Sequence, residues 1–178
     1  KMLALLPPLF DHVRPRTGPD AIPYSGLVCL VVLLLWLFAG LATTIATPGM
    51  SDRDFLYGTF TGVVGLAAYA AIVVTSGQTP RLLQTVTAIL GSGALISFMF
   101  LAASTLLPPL FAALPFLGQS AVNIVVTLVL LWSIPVEGHI IARAIDRHWY
   151  LGIVVAMAVF IFQLYLYSAV NPNAGGTT

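Results

Sequence analysis

Long apolar runs, separated by short polar or proline-containing breaks, make up most of the chain. Each run is close to the roughly 20 residues that a helix needs to cross the hydrocarbon core of a bilayer. The pattern predicts five membrane-spanning helices, at 25–46, 55–75, 82–107, 121–142 and 149–170. A transmembrane barrel would instead alternate apolar and polar positions over segments of roughly 10 residues. Because runs such as Gly26–Leu35 are continuous, we expect an all-α polytopic bundle.

The breaks between the runs carry the residues that end helices and form turns. They are Thr47-Pro48-Gly49 with Ser51–Asp54, Ser76–Pro80, Pro108-Pro109 with Pro115 and Gly118, and Asp146-Arg147-His148. The last break is too polar for the centre of a bilayer, so it indicates a tight helical hairpin at an interface.

The composition agrees with a membrane protein. Hydrophobic residues make up 59% of the chain and charged residues 7%, whereas a soluble domain carries about 25% charged residues. Between Phe55 and Val136 the only charged residue is Arg81. The single cysteine, Cys29, excludes an intramolecular disulfide and a cysteine metal cluster.

The basic residues predict the orientation. With five spans, one side of the membrane receives Lys1, Arg14, Arg16, Arg81, Arg143 and Arg147, and the other side receives Arg53 alone. Positive charge favours the cytoplasmic side, so we expect a cytoplasmic N-terminus and an outer C-terminus, in a bacterial inner membrane. Residues 1–24 would form an interfacial segment or a flexible tail, 25–170 the transmembrane domain, and 171–178 an outer tail.

Small residues predict where the helices pack. Gly58, Gly62 and Gly65 share one face of the second span, and Gly91 and Gly93 lie in the third. Lipid tails are as apolar as leucine, so membrane helices associate through close packing of such small residues. We expect these two faces to pack against each other, although the Gly58-x-x-x-Gly62 spacing is also compatible with a homodimer contact.

One stretch of the fourth span could carry chemistry. Glu137 and His139 lie within it, Arg143 shares a face with His139, and Gln84 lies at the same cytoplasmic depth. An ionisable residue inside a span is a functional candidate. Glu137 could be a structural acceptor bonded to Gln84, Arg14 or Arg16, a proton-relay or substrate contact, or a metal ligand with His139. Pro135 predicts a kink nearby.

The sequence does not contain the residue sets of the common catalytic, phosphate-binding or nucleic-acid-binding sites. The chain has three histidines, and their positions form no Ser-His-Asp set and no zinc-hydrolase motif. A phosphate-binding glycine loop is missing, and the lack of a basic surface argues against nucleic acid. We therefore expect no enzymatic activity, no cofactor and no metal.

Several short motifs resemble the Yip1 domain family of small five-span membrane proteins, in its bacterial type. They are Arg14-Pro15 before the first span, the polar turn Ser76–Thr85, Leu131-Trp132-Ser133 followed by Gly138-His139, and a closing fifth span. The resemblance implies a five-helix membrane fold. Eukaryotic relatives act as non-enzymatic scaffolds for small GTPases in membrane traffic, through a long soluble N-terminal region that does not appear in this sequence.

These observations favour a non-enzymatic scaffold, assembly factor or accessory subunit that contacts lipids and other membrane proteins or a second copy of itself. The alternative is a small transporter or proton-coupled permease with Glu137 near a cytoplasmic opening. Asn123, Thr127 and Gln163 are its polar candidates deeper in the membrane. A continuous wet path from them to Glu137 would favour transport, and a dry bundle would favour the scaffold.

Overall fold

The computed structural model describes residues 24–47, 49–111 and 118–171. These residues form an all-α bundle of five helices: α1 Gly26–Ala46, α2 Asp52–Thr75, α3 Leu82–Phe111, α4 Gly118–Ala144 and α5 Trp149–Val170. All five are long and apolar enough to cross a membrane. The predicted fold class is therefore confirmed. The expectations for the N-terminal segment, including Arg14 and Arg16, for Pro115 and for the tail after Asn171 lie outside the described residues.

Helix α2 begins earlier than predicted because a capping box starts it. The backbone N–H and the hydroxyl of Ser51 both donate to Oδ2 of Asp54, at 2.8 and 2.7 Å. This arrangement satisfies donors that the first turn of a helix leaves unpaired. The charged residues before Phe55 therefore belong to the first turn of α2 rather than to a loop.

Helix α3 is longer than predicted because it continues past Leu107 through two prolines, and α4 extends beyond the predicted 121–142 at both ends. Helix α3 runs through Pro108 and Pro109 to Phe111, and α4 runs through Pro135. Each proline removes one donor from the helical ladder. Membrane helices tolerate this loss where neighbouring groups satisfy the freed carbonyls.

Successive helices are antiparallel, so the bundle has two ends. The Asp54 end contains Thr47, Gly49–Asp54 and Asn171, and the Arg81 end contains Ser76–Arg81 and Ile145–His148. A one-turn 3₁₀ helix, Thr79–Arg81, lies between α2 and α3. Helix α3 packs mainly against α1 and α4, whereas α5 packs against α4 and α2.

The glycine faces of α2 and α3 do not meet as predicted. A Cβ atom on Gly62 would lie 2.6 Å from Cζ2 of Trp36, and one on Gly93 would lie 3.1 Å from Cδ1 of the same ring. The two glycines thus make room for an indole from α1 that lies between them. The prediction that the two glycine faces pack directly against each other is therefore wrong, because the side chain of Trp36 from α1 occupies the space between them.

The remaining glycines of those faces have other neighbours. Gly65 makes room for the side chain of Gln163 on α5, and Gly91 faces Val32 on α1. A Cβ on Gly58 would meet no atom within 4 Å. Gly58 therefore takes no part in helix packing among the described residues of this chain.

The closest helix contact joins α4 and α5 near the Arg81 end. A Cβ on Gly138 would lie 2.8 Å from the backbone N and Cα of Ile153. A Cβ on Gly152 would collide with the carbonyl oxygen of Gly138, and it would lie 2.7 Å from Cβ of Ala142. The two backbones touch here, as they do where small residues line membrane helix interfaces.

Candidate functional site

Glu137 forms a hydrogen bond with a buried tyrosine. The hydroxyl of Tyr69 on α2 donates to Oε2 of Glu137 on α4, at 2.7 Å. Tyr69 is 2% exposed and belongs to a buried cluster with Val73, Ile89 and Ile141. Glu137 precedes the end of α4 by seven residues, which is about 10 Å at 1.5 Å per residue. The carboxylate thus lies inside the bundle, within reach of the Arg81 end.

Sequence reasoning did not find Tyr69. It proposed Gln84, Arg14 or Arg16 as partners of Glu137, and among the described residues the partner is Tyr69 instead of Gln84. A signal was present, since Gly62, Gly65 and Tyr69 fall on one face of α2 at helical spacing. A tyrosine that continues a glycine face is directed into the bundle, where its hydroxyl needs an acceptor.

His139 and Arg143 do not join this pair. Arg143 is exposed on α4, and the hydrogen bond of Glu137 is made with Tyr69 instead. Nε2 of His139 is buried and has no hydrogen-bond partner in the described part of the chain. The predicted cluster is therefore divided into a buried Tyr69–Glu137 pair and a separate His139 side chain. Within residues 24–47, 49–111 and 118–171 no three His, Cys, Asp or Glu side chains could share a metal ion.

Arg81 joins the two turns at its end of the bundle. Its Nη1 donates to the carbonyl oxygens of Arg143 and Ala144, at 3.2 and 3.5 Å, and lies 2.9 Å from Oδ2 of Asp146. The last carbonyls of a helix carry partial negative charge and lack helical donors. The guanidinium therefore caps α4 and connects the α2–α3 turn to the α4–α5 turn.

A second polar cluster holds the Asp54 end together. Oδ1 of Asp54 on α2 accepts from the hydroxyl of Tyr167 on α5 at 3.0 Å and from Nδ2 of Asn171 at 3.1 Å. Its Oδ2 accepts both bonds from Ser51. Deeper in the bundle, Nε2 of Gln163 donates to the carbonyl of Thr61 at 3.2 Å. These bonds draw α5 towards α2.

A cavity of about 500 Å³ lies beside this second cluster. Its walls come from all five helices and include the aromatic rings of Trp36, Phe55, Phe100 and Phe160. Asp54 is the one charged residue among those that line it in the described chain. The cavity thus combines apolar walls with a carboxylate at one end, a combination typical of ligand sites.

The deeper polar residues are dispersed. Gln163 lines the cavity and is bonded to α2, whereas Asn123 and Thr127 lie on an exposed face of α4. The lining of the cavity includes neither of these two residues, nor Glu137. The described side chains therefore do not join the cavity to the Tyr69–Glu137 pair.

The arrangement defines the class of the molecule: the described residues form a five-helix bundle suited to a membrane, with a hydrogen-bonded acid–phenol pair between α2 and α4 and an apolar cavity. No known protein family, no curated protein and no solved structure matches the chain. The resemblance to the Yip1 family thus stays a prediction.

Proposed function

We propose that the protein is a non-enzymatic integral membrane protein, a scaffold, assembly factor or accessory subunit for other membrane components. The observation that carries this proposal is the hydrogen bond between Glu137 and Tyr69. The carboxylate of Glu137 accepts this 2.7 Å hydrogen bond among aliphatic side chains that fill the space between α2 and α4. A buried acid with such a partner stabilises helix packing. In this proposal, Glu137, the strongest candidate for a catalytic or transport residue, has a structural role.

The outer face of α4 supports contacts with another membrane protein. Helices α4 and α5 touch at Gly138 and Gly152, but Thr127, earlier in α4, lies on its exposed face beside exposed apolar residues. A hydroxyl side chain at membrane depth favours contact with a second helix over contact with lipid. This face would receive a helix of a partner or of a second copy.

The location and orientation belong to the same proposal. The protein lies in a bacterial inner membrane with its Arg81 end in the cytoplasm, because Arg81, Arg143 and Arg147 all occur at that end of the bundle. Arg53 at the Asp54 end is flanked by Asp52 and Asp54. A scaffold role also agrees with the Yip1-like motifs of the sequence.

The transporter alternative receives less support. It needs a polar path from the deeper polar residues to Glu137, and the cavity that Gln163 lines does not include Glu137 among its walls. Hydroxyls along the helices, such as those of Thr61 and Thr87, donate to carbonyls of their own helix. Polar groups used in this way stabilise the bundle without opening a route for water.

Cross-linking in native membranes tests the proposal. A photoreactive residue at Thr127 should link the chain to one discrete protein or to a second copy, and the same species should co-purify after gentle detergent extraction. The matched control is the photoreactive residue at Met157, which is also exposed and has only apolar residues three and four positions away on α5; it should label lipid. Glu137→Gln and His139→Ala should leave the complex intact.

Two outcomes would count against a scaffold. One is a chain that is extracted alone and labels only lipid from Thr127. The other is a proton flux into proteoliposomes that Glu137→Gln abolishes, a result that would favour the permease. Gly62→Leu is unsuitable for this test, because its side chain would collide with Trp36 of the same chain.

A further inference from the structure

The cavity at the Asp54 end has the chemistry of a lipid site. Its volume of about 500 Å³ falls within the range of about 300–1,000 Å³ found for ligand sites. We propose that it binds one acyl chain of an amine-headed phospholipid, whose ammonium group lies against Asp54. This inference does not depend on the scaffold role.

The walls of the cavity suit a hydrocarbon chain. Trp36, Phe100 and Phe160 provide apolar surface. Several polar side chains of the lining already have partners: Thr43 donates to the carbonyl of Ala39 at 2.8 Å, and Gln163 donates to that of Thr61 at 3.2 Å. Polar groups with partners can be covered by an apolar ligand without the cost of losing a hydrogen bond.

One side of the cavity faces the region that lipid occupies. Leu130 on α4 and Leu164 on α5 both line the cavity, and they are 41% and 55% exposed. These two helices touch at Gly138 and Gly152, nearer the other end of the bundle. An acyl chain could therefore enter between them from the bilayer without crossing water.

The charge at the rim selects the headgroup. Asp54 is held in place by Ser51, Tyr167 and Asn171, all of which are neutral donors, so its negative charge is not cancelled by them. Among the described residues, the charged side chains at the Asp54 end of the bundle are those of Asp52, Arg53 and Asp54, with a net charge of −1. A carboxylate at the interface attracts an ammonium group and repels an anionic headgroup.

Gly58 offers a way to fill the cavity without disturbing the helices. It lines the cavity, and a Cβ on it would meet no atom within 4 Å. Gly58→Leu should therefore occupy the space meant for the acyl chain. Gly26→Leu is the matched control, because Gly26 also has open space around it and does not line the cavity.

Native mass spectrometry of the detergent-purified protein tests the assignment. The probes are phosphatidylethanolamine and phosphatidylglycerol with identical acyl chains, added at equal concentration. The wild-type protein should retain one phosphatidylethanolamine about tenfold more tightly than phosphatidylglycerol, a preference expected for one charge contact near an interface. Gly58→Leu should weaken that retention about tenfold or more, and Gly26→Leu should not.

A second pair of variants tests the headgroup. Asp54→Asn should abolish the preference for phosphatidylethanolamine, whereas Asp52→Asn, which removes a neighbouring carboxylate that does not line the cavity, should preserve it. Equal retention by the wild type and Gly58→Leu, or equal or stronger retention of phosphatidylglycerol by the wild type, would overturn the proposal. If Asp54→Asn fails to fold, the glycine pair and the wild-type headgroup comparison still decide the outcome.

Discussion

The two ends of the bundle are held together by different means. At the Arg81 end, α4 and α5 touch through their backbones at Gly138 and Gly152, and Tyr69 and Glu137 join α2 to α4 inside an apolar cluster. At the Asp54 end, polar groups at the rim draw α5 to α2, and a cavity of about 500 Å³ remains beneath them. Close packing thus fixes one end, while a few hydrogen bonds span an open space at the other.

The contrast shows that one bundle can combine a closely packed end with an end that contains a cavity. Small residues at Gly138 and Gly152 leave no room for a ligand, because each backbone fills the space beside the other. Gly58, on a helix of the same bundle, leaves its space empty. The same residue type therefore closes one end and opens the other, depending on what faces it.

The largest expected effect is at the backbone contact. Gly152→Leu should lower the free energy of unfolding by about 3 kcal/mol or more, because its side chain would overlap the carbonyl of Gly138 and neither backbone can move aside easily. Unfolding by SDS in mixed micelles would measure the change. Gly58→Leu is the matched control and should change stability by less than about 0.5 kcal/mol. Similar losses in both variants would remove the distinction between the two ends.

A smaller loss is expected at the buried acid. Tyr69→Phe should cost about 2 kcal/mol in the free energy of unfolding, because Glu137 would then lie inside the bundle without its donor. Glu137→Gln keeps an acceptor and should cost less. If Tyr69→Phe proved neutral in the same SDS titration, the pair would have no role in joining α2 to α4.

The polar rim of the Asp54 end should be less sensitive. Tyr167→Phe should cost about 1 kcal/mol, since it removes one of several hydrogen bonds to Asp54 and leaves the others in place. Tyr165→Phe is the control, because that neighbouring ring is 70% exposed. Thermal unfolding of the two variants side by side would measure the difference. Equal midpoints would show that the rim does not hold α5.

The smallest effect is expected at Arg81. Arg81→Gln should cost about 0.5 kcal/mol, because its partner Asp146 is 63% exposed and surface ion pairs contribute little. Capping of the α4 carbonyls adds to this amount. The loss should shrink as ionic strength rises, since salt screens exposed charges. Unfolding measured at low and high salt would check it, and a loss independent of salt would contradict the electrostatic explanation.

The sequence contained enough to predict the five spans, because the hydropathy of each run and the turn residues between them are local properties. The start of α2 could also have been found, since Ser51 and Asp54 have the spacing of a capping box. The sequence predicts an end of α3 at Leu107, because two consecutive prolines usually end a helix. In the structure α3 continues through Pro108 and Pro109 to Phe111.

Long-range partners were harder to predict. The expected contact between the glycine faces of α2 and α3 followed from the short connection between those helices. A single sequence does not show that Trp36, from α1, would take the space between Gly62 and Gly93. The partner of Glu137 lies 68 residues away in the chain. The cavity is lined by residues of all five helices, and no local pattern specifies that these residues come together.

The contact between Arg81 and the end of α4 can form only late in the synthesis of the chain. Arg81 precedes the two residues whose carbonyls it binds by 62 and 63 positions in the chain. The ribosome therefore synthesises the guanidinium well before its two acceptors. Because a hydrated guanidinium resists entry into hydrocarbon, we expect it to hold the α2–α3 turn at the membrane surface during that interval. Once α4 and α5 are in place, the same guanidinium binds the end of α4 and connects the two turns.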